Sequence, residues 1–182
     1  MPRIHPIDPS TASAAVTAQL EGTRKMLGLT PNMFTTAANS PAALIALNGF
    51  FAALAKGSLG GKIGERVAIA IAQENYCEYC LSAHTALGAM HGVDAAELSN
   101  ARSGNSTDAK ANAAIALALA IVKLRGQVDD AVLTSARNSG LSEGEIVEVV
   151  AHVALNVFTN YLNNVSETVV DFPVVAIDAV AA

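Results

Sequence analysis

The chain has 182 residues, a formal net charge of -5 and a composition that is 52% apolar but only 4% aromatic. This length suits a single domain with a sizeable core, and the acidic balance argues against nucleic acid or an anionic membrane as a partner, because both are bound by clustered Lys and Arg. Alanine supplies much of the apolar content and has the highest helix propensity, so the composition predicts an all-α, multihelical domain spanning 1–182.

Capping and turn signals divide the chain into an N-terminal arm, a series of helices and a C-terminal tail. The arm, residues 1–9, holds three of the six prolines. The polar segment 102–107 is predicted to be a mobile loop, and the tail, 165–182, is predicted to wrap a neighbouring subunit or to fray. The first predicted helix starts after Ser10 or Thr11 and ends at Leu27, and the others span 31–38, 41–56, 62–75, 77–91, a short stretch after Asp94, 108–124, 129–138 and 143–162.

Four of these helices open on recognisable caps. Two have a hydroxyl residue at the N-cap followed by proline at the first helical position. Two have the capping-box spacing, in which a cap residue is followed three positions later by Glu. The pairs are Thr30-Pro31, Ser40-Pro41, Asp94 with Glu97, and Ser142 with Glu145.

The uncharged stretch 31–55 is cut by Asn39-Ser40-Pro41 into pieces too short to cross a bilayer. The N-terminal residues lack the apolar core of a signal peptide. We therefore predict a soluble, cytoplasmic protein with no membrane partner. A mean hydropathy of +0.38 in such a chain indicates surface buried between subunits, so we also predict a homo-oligomer.

Both cysteines of the chain lie in one stretch, ERVAIAIAQENYCEYCLSAH, which runs from Glu65 to His84. Cys77 and Cys80 have the spacing C-x-x-C. On a helix that begins near Cys77, Cys80 and His84 share a face at i and i+4, so two thiols and an imidazole come within reach of one another. In a reducing compartment such a pair is more typical of redox chemistry or metal binding than of a structural disulfide.

The thiolate is the reactive form of cysteine, and a free thiol with a pKa of about 8.5 is mostly protonated at neutral pH. The helix N-terminus would favour the thiolate of Cys77 and, less directly, that of Cys80. His84 can accept the proton of Cys80 and remain beside it as imidazolium. Glu65 can orient the imidazole and pass protons outward, provided that two helices pack so that these side chains meet. The residues alone leave open which thiol reacts first.

The two cysteines have three other possible roles. Structural zinc usually takes four ligands, and no second Cys or His pair is nearby. Haem attachment needs a histidine directly after the second cysteine, where Leu81 stands. Two inert core cysteines are the general alternative, which His84 and Glu65 in register disfavour. Structural roles are assigned to His5, His91, His152 and Glu145.

A faint internal repeat appears at an offset of eighty residues, where 64–69 lies over 144–149. It suggests two related helical halves, of which one kept the reactive groups. In that register Cys77, Cys80 and His84 fall on Val157, Asn160 and Asn164.

A glutamate, eleven residues and then C-x-x-C-x-x-x-H resembles the active-site motif of the alkylhydroperoxidase D (AhpD)-like proteins within the carboxymuconolactone decarboxylase family. Residues 29–57 also look like the segment that precedes the motif in many members, and the resemblance covers roughly 29–162. It implies an all-helical AhpD-like fold, assembly as trimers or hexamers, and a cysteine pair that reduces hydroperoxides through a disulfide.

In the scheme that the resemblance implies, Cys80 attacks the peroxide and becomes a sulfenic acid, and Cys77 resolves it to a disulfide. His84 is the base and Glu65 belongs to the proton relay. A lipoyl-bearing or thioredoxin-like protein supplies the reducing dithiol, and neither a metal nor an organic cofactor is required. Tyr79 departs from some peroxidase members, which carry histidine there; a phenol with a pKa near 10 is a poor proton relay at neutral pH.

The predicted function is therefore a cysteine-dependent hydroperoxide reductase. A thiol–disulfide exchanger, or a redox-sensing oligomeric scaffold, is the alternative. Carboxymuconolactone decarboxylation is a minor alternative, because that branch of the family lacks the cysteine pair.

Overall fold

The computed structural model describes residues 1–178, and every regular element in that range is an α-helix, which confirms the all-α prediction. The end of the predicted tail, 179–182, lies outside the described residues. No described helix combines the length and the apolar character needed to span a bilayer. The helices are α1 (Ala14–Leu27), α2 (Asn32–Ala37), α3 (Pro41–Leu54), α4 (Gly61–Glu74), α5 (Glu78–Met90), α6 (Ala95–Arg102), α7 (Ala109–Leu124), α8 (Asp130–Asn138) and α9 (Glu143–Ser166).

The first helix starts later than predicted because its expected cap is engaged elsewhere. Asp8 accepts hydrogen bonds from both the N–H and the Oγ–H of Ser10, at 2.8 and 2.7 Å. Ser13 caps α1 instead, and its Oγ accepts the Val16 N–H at 3.4 Å. The helix ends at the predicted position, where Gly28 takes a left-handed conformation with φ of 80°.

The second helix also differs from the prediction at its start. Pro31 is the N-cap, with an extended ψ of 149°, rather than the first helical residue. The N–H of Asn32 is capped from far along the chain, by the Asp171 carboxylate at 2.8 Å. A distant carboxylate thus takes the role that the sequence pattern assigned to Thr30.

Helix α4 is the centre of the molecule and packs against α5, α6, α7 and α9. Its apolar side chains face every direction, and Val67, Ile69 and Ile71 are fully buried. A helix that is apolar all round must be covered on all sides. This burial fixes α4 and the adjacent α5 relative to each other, and these two helices carry the E…C-x-x-C-x-x-x-H motif.

The segment predicted to be mobile is anchored by one carboxylate. Glu97 accepts hydrogen bonds from the N–H and the Oγ1–H of Thr107 at 3.0 and 2.8 Å, and it also bonds the Ser106 hydroxyl. It pairs with the buried Arg66 guanidinium at 2.9 Å. Asp94 does cap α6, but Glu97 completes no capping box because its carboxylate is taken by this cluster. The capping box of α9 is complete, as predicted.

The described part of the tail does not fray, in contrast to one of the two predictions made for it. Helix α9 continues to Ser166, and the chain then crosses its own fold. The N–H of Val175 donates to Ser82 Oγ at 2.9 Å, and Arg102 donates to the Ala176 carbonyl at 2.5 Å. Residues 167–178, which we call the strap, therefore lie over α5.

Two side chains close together on α3 differ in burial, so replacing each by alanine should have very different effects on stability. Leu47 is 1% exposed, whereas Ile45 is 54% exposed. Leu47→Ala should lower the free energy of unfolding by about 2–5 kcal/mol, because it removes buried methyl groups and leaves a cavity. Ile45→Ala should change it by less than about 0.5 kcal/mol. Urea unfolding at matched protein concentration measures both, and equal losses would contradict this packing of α3.

Candidate active site

The two thiols lie at the junction of α4 and α5. Tyr76, in a left-handed conformation with φ of 54°, reverses the chain after α4. Cys77 is then the N-cap of α5, and its Sγ accepts the Cys80 N–H at 3.3 Å. Both cysteines are free thiols, with Cys77 fully buried and Cys80 2% exposed. This cap holds the Cys77 sulfur against the first turn of α5, which carries Cys80.

The two thiols have opposite pKa shifts. Burial raises the pKa of Cys80, but the hydrogen bond from the Cys77 thiol, the charge of His84 and the amides of Asn163 and Asn160 outweigh it and lower that pKa to about 7. Donation to Cys80, together with burial, raises the pKa of Cys77. The negative charge of the pair therefore resides on Cys80 near neutral pH.

His84 is held by the carboxylate predicted for it. The close packing of α4 and α5 brings Glu65 Oε2 to 2.8 Å from His84 Nδ1. Burial lowers the pKa of His84, but the Glu65 charge and hydrogen bond, with the Cys80 charge, raise it overall. Because Nδ1 is occupied by Glu65, Nε2 is the nitrogen left to exchange a proton. The structure thus brings together Glu65, His84 and the cysteine pair.

A small apolar cavity of about 50 Å³ ends at Cys80 and His84. Cys77 does not line it, so only one of the two sulfurs borders this space. The volume fits a few non-hydrogen atoms, since one water occupies about 10–15 Å³ on this measure. Its apolar walls come from helices α1 to α3 and their connections, from α5 and from the strap: Leu27, Leu29, Phe34, Phe51, Leu87 and Phe172.

Tyr79 joins α5 to the strap. Its hydroxyl donates to Asp171 Oδ1 at 2.7 Å and accepts the Met33 N–H at 3.2 Å. Its ring meets Phe172 edge-on, with centroids 5.9 Å apart. Burial, and then the Asp171 carboxylate, raise the pKa of Tyr79. The tyrosine is therefore a neutral structural link rather than a proton relay.

The sequence reasoning did not identify two buried amides of α9, one of which bonds the Cys80 sulfur. Asn163 Nδ2 donates to Cys80 Sγ at 3.2 Å, and Asn163 and Asn160 are 3% and 0% exposed. Two asparagines one turn apart on a long apolar helix indicate a polar site in the interior, and this pattern could have identified them. Asn160 is also the residue that the internal repeat placed over Cys80.

Two of the residues predicted to be structural, His91 and His152, lie behind the Glu65–His84 pair, along a larger cavity of about 540 Å³. His152 packs against Gly64, and burial lowers its pKa. His91 is 53% exposed at its side chain, with Nε2 3.9 Å from Glu65 Oε1. Among residues 1–178, no three His, Cys, Asp or Glu side chains are grouped to hold a metal ion.

Part of this chain is similar to a known family of proteins. The carboxymuconolactone decarboxylase family matches residues 41–123, a segment that contains the whole E…C-x-x-C-x-x-x-H motif. No functionally curated protein matches the chain.

Solved structures share the fold over nearly the whole chain. An AhpD-core, peroxidase-related protein from Ralstonia eutropha JMP134 has a TM-score of 0.84 at 19% identity, covering 93% of this chain and 92% of its own. The debrominase Bmp8, in complex with 2,3,4-tribromopyrrole, has a TM-score of 0.79 at 20% identity, covering 93% and 91%. A peroxidase-related protein from Silicibacter sp. TM1040 has a TM-score of 0.78 at 18% identity, covering 92% of each chain. The chain therefore has the fold of the AhpD-core proteins, and its residues 41–123 are similar to the carboxymuconolactone decarboxylase family.

Proposed function

We propose that the protein is a thiol peroxidase that reduces small organic hydroperoxides, with Cys80 as the attacking residue. The observation that carries the proposal is the position of Cys80. It is the thiol with the lowered pKa, it lies beside a histidine held by a carboxylate, and it borders the apolar cavity. Cys77 has a raised pKa and no contact with that cavity.

In the first step the Cys80 thiolate attacks the terminal oxygen of ROOH. The S–O bond forms as the O–O bond breaks, which gives a sulfenic acid and an alkoxide. The His84 imidazolium protonates the alkoxide, so ROH leaves. The sulfur is oxidised and the peroxide is reduced by the same two electrons. Glu65 stabilises the imidazolium before this transfer.

In the second step Cys77 attacks the Cys80 sulfur, the S–O bond breaks, and water leaves with the proton of the Cys77 thiol. A disulfide results. An external dithiol, from a lipoyl-bearing or thioredoxin-like protein, then reduces it and is itself oxidised. Both sulfurs are buried, which favours a slender dithiol arm over direct contact with a protein surface.

We further propose that the chain works as a cytoplasmic homo-oligomer, a trimer or hexamer. Exposed apolar residues recur along α9 at spacings of three and four, which is the pattern of one helix face. A contiguous exposed apolar face is typical of an interaction surface, and a second copy of the chain offers the same apolar stripe. Its residues are Val147, Val150, Ala154, Phe158, Tyr161 and Val165.

Bmp8 shows that this fold also occurs in a debrominase, so peroxide reduction needs a matched alternative readout. Peroxide consumption is measured with cumene hydroperoxide and dihydrolipoamide, and bromide release is measured with tribromopyrrole under the same conditions. Peroxide turnover without bromide release supports the proposal. Bromide release without peroxide turnover would replace it with reductive debromination.

The cysteine roles are tested in the same assay. Cys80→Ser and Cys77→Ser should each abolish turnover, and only Cys77→Ser should accumulate a sulfenic acid, which mass spectrometry locates on Cys80. If the wild type forms a reversible disulfide but consumes no peroxide, the protein is a disulfide exchanger or sensor. Turnover that survives both substitutions would exclude thiol chemistry.

A further inference from the structure

Two buried amides beside Cys80 each keep one polar atom without a hydrogen-bond partner. Among residues 1–178, Asn160 Nδ2 and Asn163 Oδ1 have none, although both side chains are almost fully buried. A buried amide atom is normally satisfied because water is no longer available to it. The unpaired atoms are one donor and one acceptor, and both belong to residues that influence the same sulfur.

The remaining atoms of these amides are in use. Asn160 Oδ1 accepts from Asn75 Nδ2 at 3.0 Å, which fixes the orientation of the Asn160 amide and directs Nδ2 away from that bond. Asn163 Nδ2 donates to Cys80 Sγ at 3.2 Å, the orientation that suits a thiolate, which only accepts. Reorienting either amide to satisfy its unpaired atom would break a bond that it already makes.

We propose that Asn160 and Asn163 form a cradle for the oxygen atom that Cys80 takes from its substrate. This inference rests on the proposed peroxidase function. Asn160 lies one turn before Asn163 on α9, so its unpaired Nδ2 belongs to the helix face that meets Cys80. An oxygen attached to that sulfur extends toward the donor and accepts its N–H.

The acceptor completes the cradle when the oxygen carries a proton. In the sulfenic acid, S–O–H is a donor, and the unpaired acceptor Asn163 Oδ1 belongs to the amide whose Nδ2 already bonds the sulfur. In the sulfenic acid, the oxygen accepts from Asn160 Nδ2 and its proton is donated to Asn163 Oδ1. In the reduced protein, these two amide atoms have no hydrogen-bond partner within the described part of the chain. The cradle stabilises the sulfenic acid until Cys77 attacks.

The experiment uses Cys77→Ser, in which no disulfide can form. The protein receives one equivalent of cumene hydroperoxide, and samples are quenched at intervals into denaturant with dimedone, so that burial does not limit labelling. Mass spectrometry then gives the lifetime of the sulfenic acid on Cys80. Asn160→Ala and Asn163→Ala, each added to Cys77→Ser, should shorten that lifetime about tenfold or more.

Asn156→Ala is the matched control, because Asn156 is a buried amide one turn earlier on α9 whose Nδ2 bonds the His152 carbonyl. It should leave the lifetime unchanged. If an alanine variant does not fold, the nearly isosteric Asn160→Asp replaces the donor by an acceptor and should shorten the lifetime in the same way.

Three results would overturn the proposal, and they differ from one another. An unchanged lifetime in folded Asn160 and Asn163 variants removes the cradle and leaves the peroxidase function intact. Equal shortening by Asn156→Ala reduces the effect to general loosening of α9. Failure of Cys77→Ser itself to form any sulfenic acid, although its thiol is reactive toward iodoacetamide, overturns the peroxidase function on which the cradle rests.

Discussion

His84→Ala should lower the rate of peroxide consumption by roughly 100- to 10,000-fold at neutral pH, the range typical for loss of a positioned acid or base. The substitution removes two contributions at once. The imidazolium charge that helps to lower the pKa of Cys80 is lost, and so is the proton donor for the leaving alkoxide. Stopped-flow measurement with a saturating reductant gives the effect.

The pH dependence separates these two contributions. In the wild type, activity should rise with pH as Cys80 loses its proton, through a pKa of about 7. In His84→Ala this rise should move to higher pH, because the pKa of Cys80 increases when the neighbouring positive charge is removed. A rise at the same pH with a lower plateau would show that His84 acts only as the proton donor.

The control for this substitution is His91→Ala, which removes a largely exposed imidazole on the far side of Glu65. It should change the rate by less than about threefold, since a largely exposed side chain interacts only weakly with its neighbours in water. A loss of rate as large as that of His84→Ala would mean that any change near Glu65 disables the site. That result would contradict a specific role for His84.

Asp171→Ala should speed the labelling of Cys80 by a bulky maleimide about 10- to 100-fold, because its carboxylate accepts two hydrogen bonds that tie the strap down. Each hydrogen bond to a charged group contributes about 1.5–3 kcal/mol. If the free energy of local opening of the strap falls by one such contribution, the labelling rate of Cys80 rises by the expected factor. The Asp171 carboxylate is the shared partner of Tyr79 and Asn32, so one substitution releases both.

Glu167→Ala is the control for Asp171→Ala, because it removes an exposed strap carboxylate that pairs with Arg3 at the surface. It should leave the labelling rate within about twofold, as expected for an exposed pair. If Asp171→Ala also leaves the rate unchanged, reagents reach Cys80 through the apolar cavity and not beneath the strap.

The sequence predicted the parts of the site that are local in the chain. C-x-x-C-x-x-x-H lies on one helix, so helical geometry alone puts Cys80 and His84 on one face. The meeting of Glu65 and His84 needed more, since nineteen residues separate them. The packing of α4 against α5 brings these two side chains together. The sequence reasoning stated this packing as a condition but could not derive it.

The parts that were missed reach the site from the other end of the chain. Asn163 contacts Cys80 across 83 residues, and Asp171 contacts Tyr79 across 92. No local pattern encodes the path of the strap, because its position depends on the hydrogen bonds of Ser82 and Arg102 as well as on its own residues. For the same reason the cap of α2 was assigned to a neighbour in sequence, whereas Asp171 supplies it.

Because Cys77 is the N-cap of α5, the N-terminus of this helix affects the reduction potential of the thiol pair. The Cys77 sulfur accepts the Cys80 N–H in the reduced protein, and it is a weaker acceptor once it joins a disulfide. A contact present mainly in the dithiol form stabilises that form, so the disulfide becomes easier to reduce. At about 30 mV for each 1.4 kcal/mol, a cap of ordinary strength raises the potential by a few tens of millivolts at most. The first turn of α5 should therefore exchange its amide hydrogens faster in the oxidised protein than in the reduced one.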